Sequence, residues 1–427
     1  MHIEEQKVTS VYLVGIQNQE CGPERCQELL DELAELVKTL ELDLAGMTIA
    51  KQREPNPRLL LGQGKAEEIT AAAKRLGADA IVFDDFISPS QQRNWEKLSG
   101  LTVIDRQEII LDIFAKHAKT REAVLQIELA RAIYSLPRLK RQWSHLNRQR
   151  GMAGGMGLRG EGEQQIEVDS RMVRMNIAKL KAQLKEVQKH REVQRLKRLR
   201  KPVPVAAIVG YTNAGKSSLL NKMTTADVLV ADKLFATLDP TVRRFDLPGG
   251  QPILLADTVG FIRKLPHLLV EAFKSTLEET ILADHIIEVV DASSDNIKEH
   301  HETTVNVLQE LGITDRYPIF VLNKIDRVTD KLARERLQRT YPEAILCSAR
   351  TGEGLDELAR RLEEECVRSQ QTAMLLLPHS RHDTLARLRE ACSILEESYD
   401  EQGIHLTLKV PRAAWALAEP FVQRQEE

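Results

Sequence analysis

The chain has 427 residues, of which 42% are hydrophobic and 29% charged, with a net charge of −3. That balance is ordinary for a soluble globular protein of about three domains. No apolar run approaches the ~20 residues that a membrane-spanning helix needs, and Met1-His-Ile-Glu-Glu does not read as a secretory leader.

Five cysteines, odd in number and without metal-ligand spacing, argue for a reduced compartment, so the cytoplasm is expected. Residues 1–118 alternate strand and helix patterns. Val11–Val14, Ala45–Ile49, Ala80–Phe83 and Leu101–Ile104 read as strands, with helices near 25–40, 65–76, 88–98 and 107–117. The order predicts a small α/β domain with a parallel sheet. Gly62-Gln-Gly-Lys65 precedes a helix and has two readings, a second phosphate-holding turn or a plain helix-initiating turn; it lacks the full phosphate-loop pattern.

Residues 119–200 carry the charge asymmetry. From Arg138 to Lys201 there are eighteen Lys and Arg against six Asp and Glu, a net of +12 that leaves −15 on the rest. Leu125, Leu129, Ile133, Leu136, Leu139, Trp143 and Leu146 recur at helical spacing, with Pro137 as an expected kink; Val173, Ile177, Leu180, Leu184 and Val187 do the same. Gly151-Met-Ala-Gly-Gly-Met-Gly-Leu-Arg-Gly-Glu-Gly162 between them is too glycine-rich for helix or sheet. The expectation is a long antiparallel helical hairpin with a loop at its tip. Arg148, Arg150 and Arg159 near that tip are candidate RNA contacts, because a basic segment in an acidic chain suits a polyanion.

Residues 201–368 hold four ordered segments. Pro204–Val209 is an apolar run that feeds Gly210-Tyr-Thr-Asn-Ala-Gly-Lys-Ser217, and Ser218–Met223 is helix-forming. Strand, glycine-rich loop and helix in that order form a phosphate-binding loop. Gly210, Tyr211, Thr212, Asn213, Ala214, Gly215, Lys216, Ser217 and Ser218 are therefore candidate nucleotide contacts, with Lys216 on the β- and γ-phosphates and Ser217 on Mg²⁺. Asn213 has two readings, holding K⁺ beside the phosphates or capping the loop. In Leu234-Phe-Ala-Thr-Leu-Asp-Pro-Thr241, Phe235 and Thr237 are placed at the nucleotide and Thr237 on the metal, with Thr241 in reserve; the order resembles the first switch of Obg-like GTPases. Asp257 ends the run 251–256 as a second Mg²⁺ ligand, and Gly260 offers its N–H to the γ-phosphate.

Lys216, Thr237 and Gly260 are the residues expected to act on phosphoryl transfer. Phe261 stands where Ras-type GTPases keep a water-orienting glutamine, which predicts slow unaided hydrolysis. The run 317–322 ends in Asn323, Lys324 and Asp326, and 344–347 leads to Ser348, Ala349 and Arg350. An aspartate pairs with the guanine N1–H and 2-amino donors, which adenine cannot supply, so the base is guanine and the ligands are GTP and GDP. Residues 369–427 read as a small β-α-β appendage: Ala373–Leu377, a helix near 381–399, and His405–Val410.

The segments LRGEGEQQIEVDSR (158–171), FATLDPTVR (235–243) and DTVGFIRKLPHLLVEAFKSTLEE (257–279) resemble the HflX family of ribosome-binding GTPases over nearly the whole chain. Leu158, Glu161 and Gln164 depart from the usual TRGPGETQLE. The resemblance implies a monomer that binds the large ribosomal subunit, sets its helical hairpin near the peptidyl transferase centre, and uses GTP to split stalled or idle ribosomes under stress. Two rivals stand beside it: a GTPase of tRNA or rRNA maturation, and a signalling or membrane-linked GTPase with a protein partner.

Overall fold

The computed structural model describes residues 8–18, 21–52, 54, 56–150, 170–187, 189, 203–224, 234–235, 241–263, 278–314, 316–411 and 414–423, of which 139–150, 278, 390, 393 and 416 are described by backbone alone. The chain divides into two units, Met1–Lys185 and Glu186–Lys264 with Phe273–Glu427.

In the first unit, β1 (Ser10–Gln17), β2 (Asp43–Lys51), β3 (Ala80–Phe83) and β4 (Thr102–Asp105) pair in parallel in the order β2-β1-β3-β4. Six consecutive residues of β1 are buried, as a central parallel strand covered on both faces requires. Helices α1 (Pro23–Thr39), α2 (Gln63–Arg75) and α3 (Pro89–Ser99) provide the crossovers, and α4 (Arg106–His117) follows the last strand. Ser88 and Gln91 form a reciprocal capping box that starts α3. Trp95 of α3 is fully buried against Phe83 at 4.9 Å, and its indole N–H donates to Leu59 O at 2.7 Å. Gly62 caps α2 and Lys65 pairs with Glu68 at 2.7 Å, which supports the helix-initiating reading of that turn.

Helix α5 (Arg121–Arg150) contains Pro137 and continues past it as one element. Its root is clamped. Arg138 lies 3.5 Å above the Tyr134 ring and donates to Asp105 Oδ2 (2.9 Å), Gln92 Oε1 (3.0 Å) and Ile87 O (3.2 Å). Tyr134 donates to Asp105 Oδ1 at 2.8 Å. Burial, with Asp105 and Asp112 adding their charge, pushes the neighbouring Glu108 carboxyl up to about 7. Helix α6 (170–187) buries Leu180 and Leu184 and exposes Arg171, Arg174, Lys179, Lys181 and Lys185. The loop 151–162, Arg159, and the side chains of Arg148, Arg150, Leu139, Trp143 and Leu146 lie outside the described residues.

In the second unit, β5 (Val205–Gly210), β6 (Thr241–Asp246), β7 (Pro252–Asp257), β8 (His285–Asp291), β9 (Ile319–Asn323) and β10 (Ile345–Leu346) form a sheet in the order β10-β9-β8-β5-β7-β6, parallel except for β6. Ile208, Leu219, Leu255, Val289, Val321 and Leu358 share the core on one face; Ala207, Val209, Phe261, Ile286, Val307 and Leu308 share the core on the other. Helix α7 (Lys216–Thr224) follows β5 directly.

A smaller antiparallel sheet closes the chain: β11 (Gln371–Leu377), β12 (Ser393–Tyr399) and β13 (Ile404–Val410), in the order β11-β13-β12. Here the expected helix over 381–399 is corrected. The helix is His382–Ala391, and Ser393–Tyr399 is a strand. Leu395, Glu396 and Glu397 favour helix locally, but the hairpin ladder to β13 overrides that preference. Its turn is built by Asp400, whose Oδ1 accepts from the N–H groups of Gln402 (2.8 Å) and Gly403 (3.0 Å). All five cysteines are free, and Cys347 is a buried core residue whose thiol burial pushes up to about 12. Among the described residues no helix is long and apolar enough to cross a membrane.

Candidate functional site

Parallel strands bring the residues at their carboxyl ends to one edge of the sheet, where ligands of open α/β sheets bind. Four such ends converge here. The turn from Gly210 to Ser217 joins β5 to α7, Asp257 ends β7, Asn323 ends β9, and Ser348–Arg350 follow β10.

Glycine is required where the backbones approach. Gly210 holds φ 140°, and a Cβ there would lie 2.1 Å from Val289 O; at Gly215, φ 92°, it would lie 2.3 Å from Asn323 Nδ2. Asn213 occupies the left-handed region at φ 59° and leaves its side chain exposed. Lys216 is 6% exposed, and its Nζ donates to Gly210 O (3.1 Å) and Tyr211 O (2.8 Å). Burial drives its ammonium down to about 8, Asp257 pulls it back up, and Lys324 adds to the fall.

Ser217 Oγ donates to Asp257 Oδ2 at 2.6 Å, and Asp257 is fully buried. A hydroxyl and a carboxylate this close are hard oxygen donors of the kind Mg²⁺ takes alongside phosphates, so the donor set fits that ion. Thr241 opens β6 in register with Asp257. Phe235 is buried at φ 57°. Thr237 lies outside the described residues.

The segments expected to read the base are cross-linked to the loop that joins β5 to α7. Asn323 Nδ2 donates to Ala214 O (2.8 Å), and Asn323 Oδ1 accepts from Ala349 N–H (3.0 Å). Lys324 Nζ donates to Asn213 O (2.6 Å) and pairs with Asp291 (2.8 Å). Asp326 accepts from Ser348 Oγ at 2.6 Å, a bond that holds its carboxyl below the usual range, and Arg350 lies 3.9 Å away. An anionic acceptor fixed in this way is preset for a base that presents two adjacent N–H donors.

Two expectations change in detail. Tyr211 has its ring stacked on His300 at 4.0 Å and its hydroxyl on Arg263, so its side chain is turned to the protein. Phe261 is 1% exposed and packs in the core beneath the sheet. Sequence reasoning also passed over Arg334. Its guanidinium donates to Ile325 O (2.8 Å), Val328 O (2.8 Å) and Glu353 (3.0 Å), so it ties the Asp326 turn to the stretch behind Ser348. No local motif marked it.

Comparison with known proteins agrees with this geometry. Residues 27–115 match the family described as GTP-binding GTPase N-terminal, 117–198 the GTP-binding GTPase Middle Region, and 205–324 the 50S ribosome-binding GTPase family. The chain is 46% identical over 405 residues to GTPase HflX of Akkermansia muciniphila, covering 93% of each. It is 46% identical over 388 residues to GTPase HflX of Lacrimispora saccharolytica, covering 91% of this chain and 90% of that protein. For GTPase HflX of Escherichia coli K12 the figures are 41% over 390 residues and 91% of each.

Proposed function

The chain belongs to the HflX family of GTPases, and we propose that it binds the large ribosomal subunit and uses GTP to part stalled or idle ribosomes. The reaction is hydrolysis of GTP to GDP and phosphate. The observation that carries the ribosomal reading is the +12 segment Arg138–Lys201, together with the 50S ribosome-binding description of the family matched by 205–324. A helical arm of that charge supplies affinity for rRNA phosphates, and its binding falls steeply with salt. We divide the chain into domains 1–118, 119–200, 201–368 and 369–427, acting as a cytoplasmic monomer.

Within the site, Lys216 contacts the β- and γ-phosphates, Ser217, Asp257 and Thr237 hold Mg²⁺, and Gly260 N–H meets the γ-phosphate. Mg²⁺, when bound, neutralises charge on the β- and γ-oxygens. Asn323, Lys324, Asp326, Ser348 and Ala349 select guanine. Phe261, buried in the core, supplies no hydrogen bond to water, which supports slow hydrolysis until a partner completes the site. Asn213 is the candidate K⁺ ligand; equal turnover in KCl and NaCl at matched ionic strength would remove it.

The test is GTP turnover with and without purified large subunits, beside sedimentation of whole ribosomes with a non-hydrolysable GTP analogue. Stimulated turnover and conversion of ribosomes to subunits is expected. Absence of both would redirect the activity to a precursor RNA or a protein partner.

A further inference from the structure

The short stretch that leaves Gly260 is bonded back onto the phosphate loop through Phe261 and Arg263. Phe261 N–H donates to Gly210 O (3.0 Å), and Thr212 N–H donates to Phe261 O (2.8 Å). Two residues later, Arg263 donates to the Tyr211 hydroxyl twice, from its backbone N–H at 2.9 Å and from Nε at 3.2 Å. The same guanidinium reaches Glu299 at 3.2 Å, and His300, beside Glu299 on the helix Ile297–Glu310, stacks on the Tyr211 ring with an interplanar angle of 16°. Tyr211 is 5% exposed and Arg263 8%. Accepting from two donors uses both lone pairs of a phenol oxygen, so the pair has one geometry.

We propose that Tyr211 and Arg263 form a latch that positions Gly260 and so sets the preference of the site for a nucleoside triphosphate over a diphosphate. The proposal rests on the reading of Gly260 as the γ-phosphate contact. Gly260 is tightly placed: a Cβ there would come within 2.8 Å of Thr212 Cα and 2.9 Å of Lys216 Nζ. A diphosphate is held by the backbone of the loop and by Lys216, whereas the latch acts through the Tyr211 hydroxyl. The γ-phosphate is met from the Gly260 side, whose position depends on residues 261–263. Tyr211 and Arg263 are therefore positioning residues, coupled to the third phosphate through one backbone N–H.

The experiment measures affinities of the full-length protein for GDP and for a non-hydrolysable GTP analogue, together with kcat and KM for GTP. Tyr211→Phe keeps the stacked ring and the loop backbone and removes only the hydroxyl. It should lower the analogue-over-GDP affinity ratio at least about fivefold, the low end of a site-to-site coupling, with the analogue losing more affinity than GDP and kcat reduced. Arg263→Gln should do the same, and it keeps the question open to test if Tyr211→Phe does not fold. The double variant should be no worse than either single one, because both remove one shared unit. An unchanged ratio, or a parallel loss for both nucleotides, overturns the latch. Gly260→Ala separates the two readings. If it loses the ratio while Tyr211→Phe and Arg263→Gln keep it, the latch alone falls; if it keeps the ratio, the γ-phosphate reading falls and the latch with it.

Discussion

Raising the pH from 7 to 9 should weaken GDP binding about tenfold through Lys216 alone. Burial brings this ammonium from 10.5 to about 8, which corresponds to roughly 3 kcal/mol against the charged form. A phosphate beside Nζ restores the charge, so the complex holds the proton across the whole range while the free protein loses it. The protonated fraction of the free protein falls from about 0.9 at pH 7 to about 0.1 at pH 9, and affinity falls with it. Binding then takes up about 0.1 proton at pH 7, 0.5 at pH 8 and 0.9 at pH 9. Titration calorimetry in two buffers of different ionisation enthalpy reads those numbers directly. Lys216→Met retains the guanine ring's own titration and removes the lysine, so the difference isolates Nζ. Zero uptake at pH 8, or equal uptake in the variant, would refute the reasoning.

Restoring a Ras-like glutamine by Phe261→Gln should fail to speed hydrolysis. The side chain at 261 is buried in the core, so the change buries an amide and should cost about 3–5 kcal/mol of stability, seen as a lower unfolding midpoint at unchanged or reduced turnover. Asp326→Asn should weaken GTP by about 3–6 kcal/mol, the worth of two hydrogen bonds to a charged acceptor, and favour xanthosine triphosphate; competition between the two nucleotides measures it. Arg138→Ala leaves Asp105 buried without its guanidinium partner. It should destabilise the first unit by about 3–5 kcal/mol, read as faster hydrogen exchange in α4 and α5.

Much of this was legible in the sequence because the chemistry is local. The phosphate loop, Asp257, Asn323 to Asp326 and Ser348 each close an apolar run, so periodicity and motif point to the same strand ends. The four strands of the first unit are likewise legible to within three residues at each end, since β1 and β3 are continuous apolar runs between clear breaks. What failed was set at a distance. Ser393–Tyr399 carries helix-forming residues and becomes a strand only through its pairing with β13. Tyr211 sits inside a phosphate motif, yet its side chain is claimed by Arg263, 52 positions away, and Arg263 in turn by Glu299, a further 36 away. Arg334 works through backbone carbonyls, which no sequence pattern marks.

The clamp at Arg138 gives α5 the mechanics of a cantilever. Beyond it the helix runs to Arg150, twelve residues and about 18 Å at 1.5 Å each. A tilt of only 5° at the built-in end displaces the far end by about 1.6 Å, half a hydrogen-bond length. Positional noise at the end of such a beam is set by the stiffness of its root. The Tyr134, Arg138 and Asp105 cluster is thereby the part of the first unit that fixes how accurately the arm can be aimed.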